Sequence, residues 1–127
     1  MSVNVTGTRK PSVTVRVSED ESLTFRMTVR GPNFAFKLTN SRSGEQLMDE
    51  NDEPVSETPL VYERPWPRAG DSDTTPTNLT MGMSFTGFTE YHYEVIHHSA
   101  EGDDAVIDAT YSGTLGSHFQ NLAVVLV

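Results

Sequence analysis

A chain of 127 residues with nine basic and 18 acidic groups has a formal charge of −9, which repels nucleic-acid phosphates and anionic membrane surfaces. It contains no cysteine, which excludes disulfide frameworks and thiolate metal sites. With 35% hydrophobic residues and abundant Ser and Thr, the composition fits one strand-rich domain over residues 1–127 rather than a disordered chain.

Taken in order, Val3 and Val5 begin an edge strand, interrupted by the segment ending at Pro11. Val13, Val15 and Val17 alternate with polar residues, the mark of a half-buried strand. After the acidic turn Ser18–Ser22, Leu23, Phe25, Met27 and Val29 point one way, and Thr24, Arg26, Thr28 and Arg30 the other. Gly31-Pro32-Asn33 reads as a turn, and Phe34, Phe36 and Leu38 then complete a hairpin with the preceding strand. Asn40–Pro59 is polar and acidic, with one helical turn expected at Gln46–Glu50. Leu60–Glu63 is a short strand, and Arg64–Asn78 is a second long connection.

Leu79, Met81, Met83 and Phe85 resume the period of two. The most strand-like stretch follows. Tyr91, Tyr93 and Val95 share a face, His92, Glu94 and Ile96 share the other, Ser99–Asp104 turns, and Ala105, Ile107, Ala109 and Tyr111 return. Gly113–Ser117 reads as a further turn. Leu122–Val127 is apolar on both faces, so this strand is either central or set against another subunit. No segment has a helical period. About eight short strands with regular turn signals predict an all-β fold, an antiparallel β-sandwich of jelly-roll type.

Three groups are candidate sites. His92 and Glu94 occupy alternate positions on one strand face, a pair able to bind zinc with a third ligand such as His118. His98 is about 20 Å further along an extended strand, too far for the same ion. The acidic loop Asp49-Glu50-Asn51-Asp52-Glu53-Pro54, joined by Asp71 and Asp73, offers oxygen ligands: Asp49, Asn51, Asp52, Asp71 and Asp73 form a candidate calcium set. Its six residues resemble the calcium-linker motif of cadherins, in which Asp-x-Asn-Asp precedes Pro. The other acidic motifs of that repeat are missing, so the chain is not assigned to the family. Trp66, held between two prolines, is either a stacking platform or a plug over the core, and Tyr62, Arg64 and Arg68 would flank the platform as a ligand-binding group.

No nucleophile elbow, phosphate-binding loop or paired carboxylate in an apolar pocket is present, so a catalytic role is not expected. The reading is a non-catalytic structural or interaction module that forms a homo-oligomer, of coat, tail, fibre or assembly-accessory type. The alternative is a carbohydrate-binding module using the Trp loop and calcium, with a glycan as partner. A metal-dependent enzyme built on His92 and Glu94 ranks third. Neither nucleic acid nor membrane insertion is expected. The N-terminus lacks the apolar core of a signal peptide, and the compartment stays open.

Overall fold

The computed structural model describes residues 3–7, 12–40, 44–65 and 77–126. The alternation in the sequence becomes nine strands: β1 (Val3–Gly7), β2 (Ser12–Val17), β3 (Ser22–Arg30), β4 (Asn33–Asn40), β5 (Gln46–Asp49), β6 (Ser56–Glu57), β7 (Leu60–Pro65), β8 (Thr77–Ser99) and β9 (Gly102–Leu126). All join one sheet. No helix occurs among the described residues, and the expected helical turn at Gln46–Glu50 is instead β5, paired with β4. The all-β reading holds. The purely antiparallel one does not, because β2 pairs with the end of β9 in parallel, from Ser12↔Asn121 to Val17↔Leu126.

The frame of the sheet is the hairpin of β8 and β9, 23 and 25 residues long. A straight strand of that length would span about 80 Å, against a radius of gyration of about 14 Å for a compact chain of this size. The long strands therefore have to bend. Two expected turns prove to be that bend. Gly31-Pro32 does not reverse the chain, and β3 and β4 do not pair with each other. Both lie on the same edge of β8, β3 against Ser99-proximal residues 90–98 and β4 against residues 79–86. Likewise Gly113–Ser117 is continuous strand, paired with β8 on either side of the bend.

The bend has a count behind it. Between Arg30↔Glu90 and Asn33↔Thr86, two residues of β3–β4 face three of β8. Between Gly113↔Thr89 and Leu115↔Thr86, one residue of β9 faces two of β8. The middle strand thus carries one residue more than each neighbour, a β-bulge, which bends and twists a strand. The shift explains the buried positions. On β8 they stay odd from Leu79 to Val95. On β9 they pass from Ile107, Ala109 and Tyr111 to Gln120, Leu122 and Val124, and on β3–β4 from Leu23–Val29 to Phe36 and Leu38. One face of the sheet thereby lines one core on both sides of the bend. Phe36 of β4 meets Tyr62 of β7 edge-on at 4.8 Å, although these two strands are not neighbours in the sheet.

Backbone close approach sets which residues can occupy the bend. Gly87 has φ +79°, where L side chains are strained, and a Cβ there would stand 2.9 Å from Cγ of Pro32. A Cβ on Gly31 would meet Oγ1 of Thr89 at 2.5 Å. Thr89 is fully buried, and its hydroxyl donates to the carbonyl of Gly87 at 3.1 Å. Pro32 is tolerated because pairing lapses at the bulge, where no ladder donor is needed.

The hairpin tip is tighter than the Ser99–Asp104 loop expected from sequence: Ser99 pairs with Gly102, leaving Ala100 and Glu101 as the turn, with Gly102 at φ +121°. The two-faced C-terminal strand is central, lying between β2 and β8. β1 stands at an edge, as read from sequence.

Gly31→Ala is expected to lower stability by about 1–3 kcal/mol through overpacking. In the Gly31→Ala/Thr89→Ala double variant the losses should be less than additive, since removing Oγ1 and Cγ2 of Thr89 takes away two of the three close contacts, the shortest among them. Denaturant unfolding of the four proteins measures the coupling.

Candidate functional site

The two outer faces of the bent sheet differ in charge. Beyond the bend, the segments 89–108 hold Glu90, Glu94, Glu101, Asp103, Asp104 and Asp108, and the strand beside them follows the acidic turn Glu19-Asp20-Glu21. Before it, β2, β4, residues 77–86 of β8 and residues 113–126 of β9 contain no acidic residue, and only Arg16 and Lys37 are charged. All four segments are neighbours in the sheet. The surface of these four segments is therefore free of carboxylates in a chain of net charge −9, and the nearest acidic group, Asp49, stands at the rim on β5.

That face is shallow and made of small side chains. Ala35 on β4, Gly82 and Ser84 on β8, and Ser117 on β9 line a depression of about 570 Å³, bordered by Lys37 and by Gln46, Asp49 and Glu50 at the β5 rim. Over it stands Phe119, 65% exposed. Phe119 is the register partner of Gly82, and a Cβ on Gly82 would lie 3.0 Å from Cε1 of its ring. The missing side chain lets the ring lie over the backbone of β8. Leu115 and Phe88 are also exposed along this edge of the bend, at 45% and 60%. Phe119 was not singled out from sequence. The signal was available, since Asn121 shares the face of Phe119 while Gln120, Leu122 and Val124 point inward.

The residues singled out from sequence fall elsewhere. Trp66, Arg68, Asp71 and Asp73 lie outside the described residues. Tyr62, Arg64 and Asp52 come together around a hollow of about 330 Å³ with Met48, Glu53 and Glu63. Tyr62, expected to flank a surface site, is itself buried at 4% exposure, packed on Phe34 and Phe36, and its hydroxyl donates to the carbonyl of Glu50 at 2.9 Å. Burial, and then the charges of Glu50, Asp52 and Asp49, push the phenol pKa up. Asp49 serves its own loop. One carboxylate oxygen accepts from the amide of Asn51 at 2.8 Å, the other from Nε2 of Gln46 at 2.6 Å. This is an Asx turn.

The histidines separate into two environments. His97 pairs with Glu21 at 3.0 Å, and His98 lies between Thr24 and Asp103, each at 2.8 Å. Hydrogen bonds from the Ser18 amide and from His97 hold the Glu21 carboxyl below its ordinary pKa. His92 contacts Asp108 of β9 and lies 3.8 Å from Glu94. His118 is not a third ligand to that pair. Its ring packs on Tyr111 at 3.7 Å and near Tyr91 at 6.2 Å on the inner face. Its Nε2 and the Tyr91 hydroxyl are both buried without a hydrogen-bond partner. Burial lowers the imidazole pKa from 6.5 to about 4 and raises those of Tyr91, Tyr93 and Tyr111. Comparison with known protein families, with characterised proteins and with solved structures yields no match.

The His118 environment has a pH consequence. The unfolded chain takes up a proton near pH 6.5 that the folded chain refuses until about pH 4. Between these values the unfolded state binds more protons, so stability is expected to fall as pH is lowered. His118→Phe, which keeps the ring packing, should flatten this part of the profile in urea unfolding measured from pH 7 to pH 4.

Proposed function

We propose that the protein is a non-catalytic interaction module that associates with itself through the carboxylate-free outer face of β4, β8 and β9. The class is that of coat, tail, fibre or assembly-accessory subunits. The observation that carries the reading is the partition of charge. Copies bearing −9 each repel one another, and the repulsion is strongest where acidic faces meet. A surface whose strands carry no acidic residue, with Asp49 and Glu50 only at its β5 rim, lets two copies approach with few like charges buried. Phe119 supplies apolar area on it and Leu115 adds more at the bend, and the small residues around Phe119 allow a flat, close contact. A rigid sheet suits such a face, because little conformational entropy is lost when it docks. The same surface patch on both copies would make a two-fold contact, the commonest form of homo-oligomer. A two-layered arrangement of jelly-roll type, with the halves on either side of the bend as its layers, belongs to this proposal.

A second reading is favoured by one specific feature. The exposed ring of Phe119 beside a depression edged by Lys37, Gln46 and Glu50 combines an aromatic platform with polar groups, the requirement for binding a sugar ring. In this carbohydrate-binding alternative Phe119 takes the part first assigned to Trp66. A glycan array carrying neutral oligosaccharides, probed with and without calcium, separates it from self-association: signal lost in Phe119→Ala supports it, and a blank array removes it.

For self-association the measurement is sedimentation equilibrium across a wide concentration range. The wild-type protein is expected to form a defined oligomer, and Phe119→Glu, which adds a carboxylate to the neutral face, to weaken association at least tenfold. Val55→Glu, at an exposed apolar residue elsewhere, should leave it unchanged. A wild-type monomer at the highest concentration overturns the proposal.

A further inference from the structure

On the acidic side of the bend, the sheet register assembles a donor set that no single strand contains. His92 and Glu94 lie two apart on β8 and share its outer face, and Asp108 on β9 stands directly opposite Glu94. One ligand atom from each of the three lies within 4.8 Å of the others. The strands are hydrogen-bonded to each other on both sides of the set, so the backbone beneath it is fixed.

We propose that His92, Glu94 and Asp108 form a binding site for one divalent transition-metal ion of the zinc class. This is independent of the self-association reading. Three observations support it. First, one imidazole and two carboxylates are a mixed nitrogen and oxygen set that suits zinc and its neighbours. Second, the charges are unbalanced. Glu94 and Asp108 are cross-strand partners of like sign, an arrangement that destabilises a sheet. The cation on the other side of Glu94 is Arg26, and its Nε is turned to Glu63 at 2.9 Å. An ion at this position balances the pair. Third, the side chains can close on it. The donor atoms around a tetrahedral zinc ion are about 3.4 Å apart for bonds near 2.1 Å, and all three side chains are partly exposed and able to rotate.

Nε2 of His92, which faces the Asp108 carboxylate, would give its lone pair to the ion, with the proton of the neutral imidazole carried on Nδ1. Glu94 is the third ligand. Water fills the remaining position, since the face is open to solvent. Thr28 and Thr110, the register neighbours of His92, add no charge to the site. His97 and His98 lie further toward the hairpin tip with partners of their own.

Untagged protein, stripped with chelator and dialysed, is titrated with zinc against a chromophoric competitor at pH 7.5. One zinc per chain is expected. His92→Ala, Glu94→Gln and Asp108→Asn should each weaken binding at least tenfold, whereas His98→Ala should not. Folding of each variant is checked by circular dichroism. Zinc should also raise the melting temperature of the wild type and leave that of His92→Ala unmoved. Absence of zinc binding by the wild type, or His92→Ala binding as tightly as the wild type, overturns the proposal.

Discussion

Two strands as long as β8 and β9 fit into so short a chain only because three neighbouring strands bend along one line. At that line β8 carries an additional residue, and the chains approach so closely that Gly31 and Gly87 leave no room for a side chain against Thr89 and Pro32. The bulge does two things at once. It bends the sheet, and it shifts the inward parity of both flanking strands so that their apolar residues still meet the core. Without the shift, Phe36 and Leu38, together with Leu122 and Val124, would turn to solvent while Leu23, Phe25 and Ile107 stayed inside.

The bend also divides the surface. Acidic residues gather on the hairpin beyond it and on the loops, and the part of the sheet before it has few charges, Arg16, Lys37 and Asp49. Electrostatics then sort the two regions by what each can approach. The proposed self-association uses the carboxylate-poor face, and the proposed metal site lies on the acidic one, where a histidine stands among carboxylates. Inside, the Tyr91, Tyr111 and His118 stack brings polar atoms into the core without partners, a cost that the packing of three rings offsets.

Much of this was legible in the chain itself. Alternation of apolar and polar residues marked β2, β3, β4, β7 and both strands of the hairpin, because a strand has a period of two whatever it pairs with. The pairing of His92 with Glu94 was visible for the same reason. Their third partner was not. Asp108 enters through the register of β9 against β8, a relation between distant positions that a local pattern does not contain. Phe119 was hidden by apolar neighbours, although Asn121 on its face marked that side as outward.

What the sequence determined by itself was the state of the backbone: extended over the alternating segments, with an apolar stripe on one face. The tertiary structure decided direction. Gly31-Pro32 and Gly113–Ser117 carry residues that serve equally in a chain reversal and in a bulged bend. Only the neighbouring strand, by carrying one residue more, selects the bend. In the same way the apolar run at Leu122–Val125 suits either a central strand or a subunit contact, and β2 lying parallel beside it makes it central. Local chemistry sets which conformations a residue permits, and long-range pairing selects among them because the hydrogen bonds and burial that decide the matter come from other parts of the chain.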